Sequence, residues 1–264
     1  MSWPNVTPPR WPVFTPPLTQ ELARPHYEPK VIALGTNTDP YQPIEREYGI
    51  TRSILEVLER TSHPVGIATK SALVVRDIDI LERMAARGLA KVVLSVTTVD
   101  RRLARAMEPR AATPEKRLEA IGKLSDVGIP VSVMVAPIIP GLNDHEIESI
   151  LEAAYAAGAR EAGYVLLRLP LELKEMFREW LVTEFTDRAQ RVLSLLQSMH
   201  GGKDYVADFG LRQRGRGPYA DQIAKRFRLA LKRLGLNIDR QDLRSDLFQA
   251  PVLAGQQMQL FLPS

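Results

Sequence analysis

The chain has 264 residues, a formal net charge of +4, 45% hydrophobic and 25% charged residues, which suits one α/β barrel-type domain or two small domains. It contains no cysteine, so disulfides, thiolate nucleophiles and thiolate-held metals or iron–sulfur clusters are excluded for these residues, and no metal site is predicted. No run approaches the roughly 18 apolar residues of a membrane span, and the N-terminus lacks a signal-peptide layout, so the expectation is a cytoplasmic protein without a membrane partner.

Residues 1 to 17 hold six prolines (Pro4, Pro8, Pro9, Pro12, Pro16, Pro17) and no periodic pattern, and read as an irregular lead. A short helix over Leu18 to Arg24 is stopped by Pro25. The apolar run Val31 to Leu34 follows. It is closed by Gly35 and by the polar cluster Thr36, Asn37, Thr38, Asp39, Pro40, and reads as a strand buried on both faces. A helix over residues 50–60 places Ile54, Leu55 and Leu58 on one face. The second strand, Val65 to Ala68, is closed by Thr69, Lys70 and Ser71. Asp77 caps the next helix, which carries Ile80, Leu81 and Met84 and ends at Gly88. The third strand, KVVLSV, is closed by Thr97, Thr98 and Asp100. A linker, MEPRAATPE, leads into a helix with Thr113 as N-cap and Pro114 as first residue. The fourth strand, PVSVMVA, is closed by PIIPGLND, in which Asn143 and Glu146 form a helix start. The fifth strand, GYVLLRL, is closed by Pro170.

Strands and helices alternate through Leu169, so the fold class is α/β, with five parallel strands in a partial barrel. From Leu171 the pattern becomes helical, with a glycine- and arginine-rich loop between the last two helices. Three regions are therefore expected: an irregular lead (1–17), a partial barrel (18–170) and a helical C-terminal extension (171–264).

In such folds ligands bind at the C-terminal ends of the strands. The polar residues there are Thr36, Thr38 and Asp39; Thr69, Lys70 and Ser71; Ser95, Thr97 and Thr98; Asn143; and Arg168. For each, a helix cap or a satisfied loop polar competes with ligand binding, and Asn143 in particular has the look of a cap. Arg168 interrupts an apolar strand and needs a partner, either a buried carboxylate or an anionic ligand.

The series GTNTDPYQPIE, TKSALVVRDIDIL, LSVTT, MEPRAATPEKRLEAI, MVAPIIPGLNDHEI and YVLLRLP resembles the radical S-adenosylmethionine (radical SAM) proteins related to spore photoproduct lyase, most closely an uncharacterised bacterial subgroup. The resemblance runs in order from about Leu18 to the C-terminus. It implies a partial (β/α) barrel of the radical SAM type. In its complete form such a protein cleaves S-adenosylmethionine reductively and generates a 5′-deoxyadenosyl radical. It further implies that Thr36, Asn37, Thr38 and Asp39 hold the ligand's amino group, and that Lys70, Ser95 and Thr97 meet its carboxylate and ribose. Arg110 would clamp the carboxylate, and the segment from Ala136 through Ile138 to Ile139 would lie along the adenine. The zwitterionic ligand needs acceptors for its ammonium and a cation for its carboxylate, which Asp39 and Arg110 supply.

The family holds a [4Fe–4S] cluster on three closely spaced cysteines, and this chain has none. It also lacks the family's first strand, so the expectation is an N-terminally truncated, inactive form. Two readings of other classes stand beside this one. A non-catalytic nucleic-acid-binding module would use Arg212, Arg214 and Arg216, with Lys225, Arg226, Arg228, Lys232 and Arg233 on the following helix. A Schiff-base barrel enzyme would use Lys70.

Overall fold

The computed structural model describes residues 15–169, 173–199 and 213–253. Residues 1–14 of the expected irregular lead, Pro170, Arg212, most of the glycine- and arginine-rich loop and the chain's last residues lie outside these. The first described element is a helix, α1 (Thr15–Leu22), so Pro16 and Pro17 belong to a first helical turn rather than to an irregular lead. Proline is tolerated there because the first amides of a helix have no intrahelical acceptor to lose.

Five strands follow: β1 (Ile32–Leu34), β2 (Val65–Thr69), β3 (Ala90–Ser95), β4 (Val131–Ile138) and β5 (Glu161–Leu166). They form one parallel sheet in the order β1-β2-β3-β4-β5. Each crossover carries helices. Between β1 and β2 lie α2 (Glu45–Tyr48) and α3 (Ile50–Arg60); a 3₁₀ turn (Ala72–Asp77) and α4 (Ile78–Ala85) precede β3. Between β3 and β4 lie α5 (Arg101–Met107) and α6 (Pro114–Asp126), and α7 (Ile147–Ala156) leads to β5. The helix α5 lies between the third strand and the linker MEPRAATPE, in a stretch given no element in the sequence; Asp100 starts it by accepting from the amides of Arg102 and Leu103. After β5 come α8 (Leu173–Glu184), α9 (Thr186–Met199) and α10 (Pro218–Leu234).

Alternation along the strands divides the sheet into two faces. Val65, Ile67, Val92, Leu94, Val131, Val133 and Val135 are buried and join one apolar cluster with Leu55, Leu58, Ile80, Leu81, Ile121, Leu124, Ile147, Ile150 and Leu151 of the covering helices. α10 packs outside α7 and adds Ile223 and Phe227 to the same cluster. A smaller cluster joins α5, α8 and α9 to Ile139 and Leu142 beyond the end of β4. The opposite face mixes small and larger residues in cross-strand register: Ala33 with Gly66, Gly66 with Lys91, Ala68 with Val93, and Ser95 with Met134, which itself pairs with Gly163.

β1 departs from expectation. It is not buried on both faces: Ala33 is exposed and Val31, just before it, is 48% exposed. The physical reason is its position at the end of the sheet, paired on one side only among the described residues. Gly35 ends it with φ +90°, and a Cβ there would lie 1.9 Å from the Ala68 carbonyl oxygen. Only glycine lets the chain turn this close to β2, which brings residues 36–40 onto the end of the neighbouring strand.

Candidate functional site

The C-terminal ends of β1 to β4 converge on two carboxylates and an amide. Asp39 is the first. Its Oδ1 accepts from the Tyr41 amide (2.9 Å) and from Thr69 Oγ1 (2.6 Å), and its Oδ2 accepts from the Lys70 amide (2.8 Å). Three donors on a group with four lone-pair sites fasten the β1 loop to the end of β2 and leave Oδ2 with capacity for one more. Thr36, Asn37 and Thr38 stand exposed beside it.

Glu108 is the second, and the sequence reading passes over it. It follows α5 in the MEPR segment, and its side chain is 12% exposed. Oε1 accepts from Lys70 Nζ and lies 3.3 Å from Thr97 Oγ1, and Oε2 accepts from Arg117 Nη2 at 2.5 Å. Thr97 Oγ1 also lies 2.9 Å from the Ala136 carbonyl oxygen. Arg117 is 3% exposed at its side chain and completes its fork with the carbonyls of Ala112 (2.8 Å) and Ser95 (2.9 Å). Burial pushes the Glu108 carboxyl's pKa up, but the neighbouring Arg117 and Lys70 outweigh that and hold it below the ordinary carboxylate value. A signal for Arg117 was present: it falls on the inward face of α6, with Ile121 and Leu124, where a cation needs a buried partner.

Asn143 is the amide. It does not cap the following turn. Its Oδ1 accepts from the Ile139 amide (2.6 Å), while Nδ2 donates to the carbonyls of Thr97 (2.8 Å) and Pro137 (3.0 Å), tying the end of β3 to the end of β4. The expected Asn143–Glu146 capping pair is therefore not formed. Glu146 accepts instead from Thr98 Oγ1 (2.7 Å) and the amides of Val99 (2.7 Å) and Asp100 (3.2 Å). Asp77 likewise makes no cap bond. It is fully buried and pairs with Arg52 and Arg76, and Arg76 also reaches Glu45 (2.8 Å). Of the residues expected to cap, Thr113 accepts from the Lys116 amide and Ser71 from the Leu73 amide.

The structure thus brings Asp39, Lys70, Thr97 and Ala136 together around the mouth, and adds Glu108 and Arg117. Ser95 contributes its carbonyl to Arg117. Arg110 is exposed, two residues past Glu108. Ile138 is fully buried in the main cluster, so its side chain belongs to the core and offers no wall to a ligand. Arg168 lies past the end of β5 rather than within it, and its Nε is buried without a hydrogen-bond partner among the described residues.

The basic C-terminal region divides in two. Arg226 and Arg233 are paired with Glu148 and Glu152 of α7, which explains two of the charges on α10 as intramolecular. Arg214 and Arg216 are exposed, Arg214 with its guanidinium 5.6 Å from the centre of the Tyr164 ring; Arg212 lies outside the described residues. Among the described residues no group of His, Asp and Glu could hold a metal ion, and no helix is long and apolar enough to cross a membrane.

A family model described as "Radical SAM superfamily" matches residues 19–154, just over half of the chain. An uncharacterized protein of Mycobacterium tuberculosis (strain ATCC 25618 / H37Rv) is 33% identical over 180 residues, covering 67% of this chain and 53% of the relative. An uncharacterized protein of Methanocaldococcus jannaschii is 31% identical over 136 residues, covering 52% of this chain and 51% of that one. The chain spans about half the length of these curated relatives. Among solved structures, a spore photoproduct lyase variant aligns with a TM-score of 0.53 at 16% identity, over 85% of this chain and 64% of that one. Another, with dinucleoside spore photoproduct, aligns with a TM-score of 0.51 at 15% identity, over 83% of this chain and 63% of that one. At these identities the likeness is one of fold.

Proposed function

The chain belongs to the radical SAM superfamily, and from that premise we propose that the C-terminal mouth of its sheet binds S-adenosylmethionine. The observation that carries the reading is Lys70. Its side chain is 40% exposed and anchored at the mouth by Glu108, at the strand ends where Asp39 also gathers its donors. An ammonium so placed meets the ligand carboxylate, with exposed Arg110 as a second cation. Ser95 is assigned to the ribose and carboxylate side; Thr97, expected there too, is buried with its hydroxyl on Glu108 and the Ala136 carbonyl and so orients Glu108 instead. The remaining capacity of Asp39 Oδ2, with Thr36, Asn37 and Thr38, is assigned to the ligand ammonium. Ala136 is the adenine contact, because Ile138 is committed to the core.

In the family, reductive cleavage of bound S-adenosylmethionine supplies a carbon-centred radical that abstracts hydrogen from a substrate. The residues of this chain do not fit the cluster that delivers the electron: no thiolate is present to hold it. The role of these residues is to bind and orient the ligand.

Isothermal titration with S-adenosylmethionine tests the reading. The chain should bind it, and Lys70→Met should weaken binding by about tenfold, the cost of one hydrogen bond to a charged group. Equal affinity of the two proteins would remove Lys70 from the site, and no binding by either would remove the site.

A further inference from the structure

Lys70, Thr97 and Arg117 come from three different elements, yet one carboxylate meets all three. A flexible lysine at a strand end loses side-chain entropy on binding unless something holds it beforehand. Here Glu108 holds it. Glu108 is in turn held by Arg117, whose remaining donors are fixed on the backbone carbonyls of Ala112 and Ser95. The chain of contacts runs from the backbone at the end of β3, through a buried guanidinium and a largely buried carboxylate, to the ammonium of a side chain that is 40% exposed. Glu108 can carry this role in its charged form because two cations offset its burial.

We infer that Glu108 is a positioning residue that fixes the Lys70 ammonium for the anionic end of the ligand, with Arg117 as its anchor. This rests on the S-adenosylmethionine reading above. Lys70 has three donors, so one bond to Glu108 leaves two for a ligand carboxylate. Removing the Glu108 charge frees the lysine to sample solvent, and the loss falls only on ligands that carry the amino-acid group.

The test compares two ligands on four proteins by isothermal titration: the natural chain, Glu108→Gln, Lys70→Met and the double variant. S-adenosylmethionine has the amino-acid group; 5′-methylthioadenosine keeps the nucleoside and lacks it. Glu108→Gln should weaken S-adenosylmethionine by about tenfold and leave methylthioadenosine within about twofold. The double variant should bind no worse than Lys70→Met, since the two side chains act as one unit. Glu108→Asp, which keeps the charge, should recover part of the loss. Because Glu108→Gln also loosens a buried ion pair, thermal unfolding of each variant is recorded, and unchanged methylthioadenosine binding certifies that the mouth is folded. Equal loss for both ligands would make Glu108 a merely structural residue and overturn the inference. So would unchanged or tighter S-adenosylmethionine binding, the latter showing that Glu108 competes for Lys70. In those cases binding by the natural chain keeps the S-adenosylmethionine reading intact. Binding of neither ligand by the natural chain would overturn both.

Discussion

The two ends of the sheet are fastened by different chemistry. At the C-terminal mouth, neighbouring strand ends are joined by side chains: Asp39 joins β1 to β2, Glu108 joins β2 to β3, and Asn143 joins β3 to β4. At the N-terminal end the chain itself does the joining. After α10, residues 237–249 cross beneath the strands. Asn237 pairs its side-chain amide with the backbone of Ala162 in β5 (2.8 and 3.0 Å). The amide of Arg244 then donates to the Gly88 carbonyl before β3, and that of Gln249 to Thr61 before β2. Phe248 closes the crossing against His63 and Tyr27, with ring centres 5.3 and 5.4 Å away. The mouth is fastened by side chains, two of them carboxylates; the other end is fastened mainly by backbone hydrogen bonds and aromatic packing, with one ion pair, Lys91 of β3 with Glu161 of β5. An end held by charged side chains keeps donors and acceptors within reach of a ligand.

The largest expected effect breaks the charged end at its anchor. Arg117→Met leaves the buried Glu108 carboxylate short of its principal partner and should cost about 3–5 kcal/mol in urea unfolding. A loss below about 1 kcal/mol would mean that the mouth does not depend on this pair.

Next in size is a direct contrast between the ends. Asp39→Ala strands three donors that met a carboxylate, an expected cost of about 2–3 kcal/mol. Asn237→Ala removes two neutral hydrogen bonds and should cost about 1–2 kcal/mol. Hydrogen exchange should localise the first loss to the β1–β2 junction and the second to β5 and the strap. If both variants loosen the whole sheet equally, the ends are not independent fasteners.

The smallest effect sharpens the comparison through pH. Burial lowers the pKa of His63 below its ordinary value of 6.5, against a smaller opposing pull from the Pro64 carbonyl. The groups facing it are the Tyr27 hydroxyl (2.9 Å from Nε2), the Pro64 carbonyl and the Phe248 ring; no carboxylate is among its hydrogen-bond or ring partners. The unfolded chain therefore takes up a proton at higher pH than the folded one, and His63's contribution to stability declines as pH falls below about 6.5. Glu108 has the opposite character. Its folded pKa is depressed, so its contribution is present above the ordinary carboxylate range and declines as pH falls through that range to the folded value. Acid should thus loosen the strap first and the mouth only at lower pH. Hydrogen exchange corrected for the intrinsic rate, taken from pH 7.5 to 4, would show the order, and His63→Phe should remove the first step. Simultaneous loss at both ends would contradict the assignment.

Much of this architecture is local and was legible. Gly35 and Gly88 mark element ends because each adopts a positive φ that other residues resist. Thr113 and Pro114 announce α6, and the apolar runs announce β2 to β5 in order, since caps and periodicity depend on residues a few positions apart. What tertiary structure decided is which polar residue met which. Asp77 and Asn143 sit where caps belong, but Asp77 pairs with Arg52 of α3 and the adjacent Arg76, and Asn143 with the strand-end carbonyls of Thr97 and Pro137. β1 has the composition of a buried strand, yet its exposure follows from its place at the edge, which no local pattern encodes. Glu108 is the clearest case. Its ammonium partner is 38 residues away and its guanidinium partner nine, so the segment MEPR displays its arginine to a reader while the folded chain turns its glutamate inward. A buried charge is stabilised only by the partners that the fold delivers to it, and those are set by the packing of β2, β3 and α6 rather than by neighbours in the chain.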